Sequence, residues 1–496
     1  MKVEPSVFMR LSLFPVAAVC LAVSGAVYAQ QPQQKSEELP QAPAPNPAVM
    51  QPNAAVMQLA GGVVVERATP GALPLSIDEA INRGLKENLN IKLSVENQRL
   101  VHGEVLEVKN NLLPSMEVQA KSSAQEVNLA ALGFKPNTLS IPGFTGAFPS
   151  ITKVNVTSAQ MNVNQQLFNV PAYYLYRAAQ KADEIASWEM LNQRGNVALT
   201  VGTQYLRTIA DAAQIENARA LAKADEVALH QAEASHAAGV GTNLDVLRAR
   251  VQLQTQQQTL INDENTFAKD KITLNRQIGL PAEQELTLTD QAPYAEFAQL
   301  ELDDAMKLAF ERRKDLRSLE AQSELATRSV KAVKYERLPS LSFGGYYGVL
   351  GETTGLYHGV FSAAGKLSFP IFQEGQLRGE REVADAQAIG VRQQIASLKV
   401  SIEQQIRSAM LDVNAADELV KVARSNVELA TQQLQDTTDR YAAGVDDNLP
   451  VVQAQATLAA AKSQLVETLY QYNQAKLTLA RNTGVVETQY KTYLGR

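Results

Sequence analysis

Between residues 75 and 484 the spacing of apolar positions passes from helical to alternating and back to helical, and it does so twice. The first alternating run follows "LPS" at 113–115, where Met116, Val118 and Ala120 interleave with Glu117, Gln119 and Lys121. A returning run sets Met161, Val163 and Leu167 against Asn162, Asn164 and Gln166. After the second "LPS", at 338–340, Leu341, Phe343, Gly345 and Tyr347 interleave with Ser342, Gly344 and Tyr346. Phe361, Ala363, Leu367, Phe369 and Ile371 form its return. A period of two predicts strands with one apolar face. Each run approaches the roughly 9–11 residues that a tilted strand needs to cross a bilayer. Pro114 and Pro339 suit helix-to-strand junctions, because proline is tolerated at the first residue of a strand and not at its centre.

The segments that follow the strands predict long helices over about 172–235 and 375–440, broken only by isolated glycines. Each would run to roughly 95 Å at 1.5 Å per residue. Ile406, Ala409, Val413, Ala416, Val420, Ala423, Val427, Ala430 and Leu434 step by three and four, the spacing of a left-handed coiled-coil seam. After a turn the step resumes through Leu449, Val452, Ala456, Ala459, Ser463, Val466, Tyr470, Asn473 and Leu477. The earlier helix keeps the same step (Ala198, Val201, Tyr205, Thr208, Ala212, Ile215) but admits more polar residues, which suggests packing around something wet.

Landmarks recur in one order. "LSIDEAINRGLKENLNI" at 75–91 lies over "LELDDAMKLAFERRKDL" at 300–316, and "HAAGVGTNLDVL" at 236–247 returns as "YAAGVDDNLPVV" at 441–452. The offset is about 225 up to the LPS pair and about 205 beyond it, which assigns the first half an insertion at 131–150. The chain is a duplication: repeat 1 spans 75–280, repeat 2 spans 300–484, and a linker at 281–299 joins them. Residues 485–496 form a C-terminal tail. Gly239 and Gly444 stand where a long helix must stop and reverse, so 236–243 and 441–448 read as hairpin tips. Pro450 falls in the first helical turn, where a missing N–H does no harm.

Composition narrows the class. A formal net charge of −6 argues against a nucleic-acid partner, which would call for a basic face. Residues 1–29 read as a secretory signal, with Lys2 and Arg10 before an apolar run and small residues at "VYA". Cleavage there removes Cys20, the only cysteine, and with it any thiol chemistry. The Pro-, Ala- and Gln-rich stretch 30–74 reads as a disordered leader. His102, His230, His236 and His358 are scattered without metal-ligand spacing, and the chain has no phosphate loop or nucleophile elbow. We therefore expect no enzyme, no metal and no cofactor.

Alternating strands also build soluble sandwiches with one wet face. Four strands are too few to close a barrel, however, and an open sheet edge cannot face lipid. A membrane reading therefore needs several chains: three would supply twelve strands and two would supply eight, and both counts can close. The alternative is a soluble periplasmic coiled-coil adaptor or structural protein, although such adaptors usually carry a single hairpin.

A helix, LPS, two strands, "LF", a long helix, "RYAAGVDDNLPVVQAQ" at 440–455 and a closing helix, written twice, resemble the TolC family of outer-membrane efflux proteins. The resemblance implies a membrane α+β fold: a homotrimer whose long antiparallel coiled-coil helices form a periplasmic α-barrel topped by a 12-stranded β-barrel, four strands per chain. It implies a passive exit duct in the cell outer membrane, gated at the helix tips. Its expected partners are itself, outer-membrane lipid, a periplasmic adaptor (membrane fusion protein) and an inner-membrane pump. Carried onto this sequence, Asp446 and Asp447 become candidates for a constriction ring, with Arg440 as bridging partner and Asp245 and Arg248 as the charged positions of repeat 1. Many relatives carry an acid where Pro450 and Gln453 stand, so the ring in repeat 2 rests on the two aspartates. Gly239, Val240, Gly241, Thr242, Gly444 and Val445 become the adaptor-facing turns, and Met116, Val118, Leu341 and Phe343 the lipid-facing positions.

Overall fold

The computed structural model describes residues 62, 68, 70–128, 131, 151–290, 295, 300–446 and 448–495. The signal at 1–29, most of the leader, the insertion at 131–150 apart from Ala131, and Asp447 lie outside the described residues.

Each repeat opens on two short helices joined at a sharp break. In repeat 1 these are α1 (Ile77–Glu87) and α2 (Leu89–Asn110), preceded by β1 (Leu73–Leu75). Ser76 caps α1 by accepting from the Glu79 N–H, and Asn88 ends α1 while its side chain caps α2 through the Asn90 N–H. In repeat 2 the counterparts are α5 (Leu302–Arg312) and α6 (Lys314–Tyr335). The break there falls at Arg313, 225 positions after Asn88, and the guanidinium fills the space. Arg313 is 4% exposed and grips Asp315 with two bonds of 3.0 and 2.6 Å.

The strands follow: β2 (Ser115–Asn128) and β3 (Ile151–Phe168) from repeat 1, then β5 (Ser340–Glu352) and β6 (Tyr357–Ser368) from repeat 2. They form one antiparallel sheet in the order β2–β3–β5–β6, so the two repeats meet at β3–β5. One edge of β2 and one edge of β6 have no strand beside them among the described residues. A bulge between Gln166 and Phe168 slips β3 by one position and sets Phe168, rather than Leu167, opposite Leu341. β6 ends at Ser368, so Phe369 and Ile371, read above as strand positions, lie beyond it.

Beyond the sheet run α3 (Val170–Ala237) and α7 (Glu374–Ala442), of 68 and 69 residues, each about 100 Å long. Each folds back as a shorter helix, α4 (Asn243–Ile278) or α8 (Leu449–Asn482), and α9 (Val486–Leu494) closes the chain. The main core lies at mid-length, where Ile81, Val201, Tyr205, Leu274, Tyr472 and Leu477 pack around β1 and its parallel partner β4 (Leu286–Leu288). The seam of α7 follows the predicted step: Ile406, Ala409, Val413, Ala416, Val420, Ala423 and Ala430 are buried. The seam of α8 is turned by about one residue from the prediction over its first half and meets it again at Asn473 and Leu477, both buried. Val451, Gln455, Leu458, Thr468 and Tyr472 are buried there, while Ala456 and Ser463 are exposed. Among the described residues no helix is long and apolar enough to cross a membrane.

Candidate membrane face and helix tips

Cross-strand register decides what each face of the sheet presents, because directly paired residues point the same way. One face carries the rows Met116–Val163–Gly345–Ala363, Val118–Met161–Tyr347–Phe361 and Ala120–Ala159–Val349–Gly359. The opposite face carries Glu117–Asn162–Tyr346–Ser362, Gln119–Gln160–Gly348–Val360 and Lys121–Ser158–Leu350–His358. In these three rows the first face is apolar and the second is largely polar; farther from the helices the first face turns polar at Ser122–Thr157 and Glu126–Lys153. The apolar face is bare in the single chain: Met116 is 69% exposed, Val118 77% and Phe361 79%. Phe343 is exposed on it too, and Leu341 is half-buried beside Phe168 and Leu367. A soluble chain rarely leaves such a patch open.

The helices carry a second set of uncovered apolar positions, away from the seams. On α7, Ile389, Val400, Leu411 and Val422 are exposed at steps of 11 residues. On α4, Val251, Ile261 and Ile272 are exposed at steps of 10 and 11. Three turns of a helix take about 11 residues, so each set forms a nearly straight stripe. In the sequence these stripes are a period of about 11, which a seam's local three-and-four step does not single out.

Both tips use the same backbone turn. Val240 N–H donates to the Ser235 carbonyl at 3.1 Å and Val445 N–H to the Arg440 carbonyl at 3.0 Å. Gly239 and Gly444 take φ of 76° and 70°, the left-handed region that disfavours a side chain. Gly241 has a different reason: a Cβ there would lie 3.1 Å from the His236 nitrogen. Val240 and Val445 project outward.

Side chains separate the tips. In tip 1 the Thr242 Oγ1 accepts from the Asp245 N–H, and an Asp245 oxygen accepts from the Thr242 N–H at 3.1 Å, a complete capping box. The Thr242 hydroxyl also donates to that oxygen at 2.6 Å, and Arg248 lies 3.7 Å from the other. Asp245 is therefore held in the cap. In tip 2, Asn448 precedes α8 without a side-chain cap bond. The hold is instead the Arg440–Asp446 ion pair, with Nε 2.6 Å from Oδ2. Both residues are solvent-accessible, and the Arg440 hydrogen bond draws the Asp446 carboxyl below its usual range. Further up, Ala423, Ala430, Thr457, Ala460 and Ala461 leave a groove of about 450 Å³ between α7 and α8.

Among the described residues no group of His, Cys, Asp or Glu is arranged to hold a metal ion. A sequence profile described as "Outer membrane efflux protein" matches residues 81–280 and 305–485. The chain is similar to "Outer membrane protein TolC" of Escherichia coli strain K12, with 21% identity over 361 residues, covering 68% of this chain and 71% of that protein. It is similar to "Pyoverdine export outer membrane protein OpmQ" of Pseudomonas aeruginosa, with 22% identity over 414 residues, covering 82% and 85%. Its fold is shared with the Campylobacter jejuni CmeC outer membrane channel at a TM-score of 0.70 and 14% identity, covering 83% and 86% of the two chains.

Proposed function

This chain belongs to the outer membrane efflux protein family, and from that premise we propose that it works as a homotrimeric exit duct. Three sheets of four strands close a 12-stranded barrel in the outer membrane, and the helices below enclose a periplasmic tunnel. The observation that carries this reading is the sheet itself, with a bare apolar face and two edges that no strand covers among the described residues. Neighbouring copies satisfy the edges, and lipid covers the face. The stripes on α7 and α4 support the same assembly one level down, because copies ranged side by side bury them against each other.

The duct is passive. A periplasmic adaptor docks on the tips through Gly239, Val240, Gly241, Thr242, Gly444 and Val445, with the small-residue groove of α7–α8 beside them, and an inner-membrane pump supplies the energy. Asp446 and Asp447 narrow the tunnel, and the Arg440–Asp446 pair is the contact whose release lets tip 2 move. Asp245 and Arg248 contribute to the charge of the constriction, but with Asp245 locked in a cap they stay in place. Reconstitution of the purified chain into planar lipid bilayers tests the reading. Discrete conductance steps are expected. Water-soluble behaviour without detergent, and no conductance, would return the chain to the soluble adaptor class.

A further inference from the structure

We propose that Asp211 of α3, buried opposite Asp270 of α4, holds a proton that clamps the first hairpin, making it a pH-responsive section of the tunnel wall. The argument begins with the heptad to which Asp211 belongs. Asp211, Ala218, Asp225 and Ala232 recur every seven residues along α3, and all four are buried. The matching positions of α7, 205 residues on, are Ala416, Ala423, Ala430 and Thr437. The partner positions follow suit: Asp263 and Asp270 of α4 become Thr468 and Ala475 of α8. Repeat 1 thus carries acids in a seam that repeat 2 fills with small uncharged residues.

The acids are not neutralised by their surroundings. The Asp211 side chain is 6% exposed, and its Oδ2 is buried without a hydrogen-bond partner. Arg207, on α3, stands at the centre of the cluster. Its Nε lies 3.3 Å from Asp211 and 4.0 Å from Asp270, and its Nη1 lies 3.0 Å from Glu467 of α8. Asp263 joins from α4, and the Tyr470 ring of α8 lies 5.3 Å from the guanidinium. One cation therefore faces four carboxylates. Two carboxylates side by side repel, whereas a carboxyl and a carboxylate form a hydrogen bond. Arg207 draws Asp211 and Asp270 to one guanidinium, so Asp211 is buried beside a second acid, and a proton on Asp211 removes their repulsion.

Burial, then the Asp270 contact, push the Asp211 carboxyl up to about 7, against the opposing pull of Arg207. Further along the seam, burial pushes Asp225, whose Oδ1 is also without a partner, up to about 6. An acid whose folded value is raised binds protons more tightly folded than unfolded. Its stabilising effect is complete below the unfolded value near 4 and is lost as pH rises towards 7. The clamp therefore holds in mildly acidic surroundings and loosens in alkaline ones.

Infrared difference spectroscopy on the detergent-purified full chain, labelled with carbon-13 aspartate, tests the proton on Asp211. A protonated carboxyl band is expected at pH 6, lost at pH 8.5, and diminished at pH 6 in both Asp211→Asn and Asp270→Asn. Hydrogen exchange, corrected for intrinsic rates, should show segment 204–275 opening about tenfold more often at pH 8.5 than at pH 6, the equivalent of one unit of lost proton affinity. Segment 409–480, whose buried Lys476 is pushed down to about 8, should open no more often at pH 8.5 than at pH 6, and Asp211→Asn should flatten the response of the first segment. A wild-type spectrum at pH 6 with no carboxyl band assignable to this pair overturns the proposal whether or not the variants fold. So does an equal response of both hairpins to pH. Neither readout depends on whether the assembly conducts.

Discussion

The two hairpins share their turns, their lengths and their place in the repeat, yet firmness is distributed oppositely along them. Hairpin 1 has a tip locked by the Thr242–Asp245 capping box and a shaft whose seam holds Asp211 and Asp225. Hairpin 2 has a shaft sealed by Ile402, Ile406, Val413 and Val420, and a tip where Asn448 makes no side-chain cap bond and, among the described residues, a solvent-accessible Arg440–Asp446 ion pair spans the turn. A single substitution pattern accounts for the tips: Pro450 stands where repeat 1 has Asp245, so the reciprocal cap cannot form. Duplication supplied two equal columns, and polar substitutions at matched positions made one adjustable in its shaft and the other at its end.

The comparison breaks most visibly if the dry shaft is given the acid of the wet one. Ala430→Asp places a carboxylate at a position 4% exposed and is expected to cost about 3 kcal/mol above pH 8. Unfolding of the assembly in detergent measures this, and the cost should shrink as the pH falls to 5. The reverse exchange, Asp225→Ala, should stabilise hairpin 1 at pH 8 by about 2 kcal/mol, because a charge at a position 2% exposed is removed. Relative to the variant, the wild type should lose stability between pH 4 and pH 6 and run parallel to it above, as the raised carboxyl requires. Curves parallel throughout that window would remove Asp225 from the account.

Smaller effects belong to the tips. Thr242→Ala should cost about 1 kcal/mol through the lost cap, read as a lower unfolding midpoint. Asp446→Ala should leave the unfolding midpoint unchanged, because the pair is solvent-accessible, but should raise single-channel conductance by freeing tip 2. Unchanged conductance would take Asp446 out of the gate.

Much of this architecture was legible because it rests on period. Two residues per turn of pattern gave the strands, three and four gave the α7 seam, and the repeat exposed the tips. What escaped the reading had no periodic signature. The bulge that replaces Leu167 with Phe168 is a matter of pairing register, which a single strand does not encode. The first half of the α8 seam differs because Ala- and Gln-rich sequence offers several phases of similar hydrophobicity, and Val452 is as good a start as Val451. On α3, Asp211 rather than the predicted Ala212 is buried, and a charged residue is a poor core candidate on its own. Only the matching Ala416 of repeat 2 marks the position as a seam.

The number of copies in the assembly tests the central claim most directly, because every role above assumes a sheet that closes only with its neighbours. Native mass spectrometry of the signal-cleaved protein released from detergent should give three chains per particle. Hydrogen exchange on the same sample should show the outer edges of β2 and β6 protected. A monomer with freely exchanging edges, or a dimer with eight strands, would contradict the account.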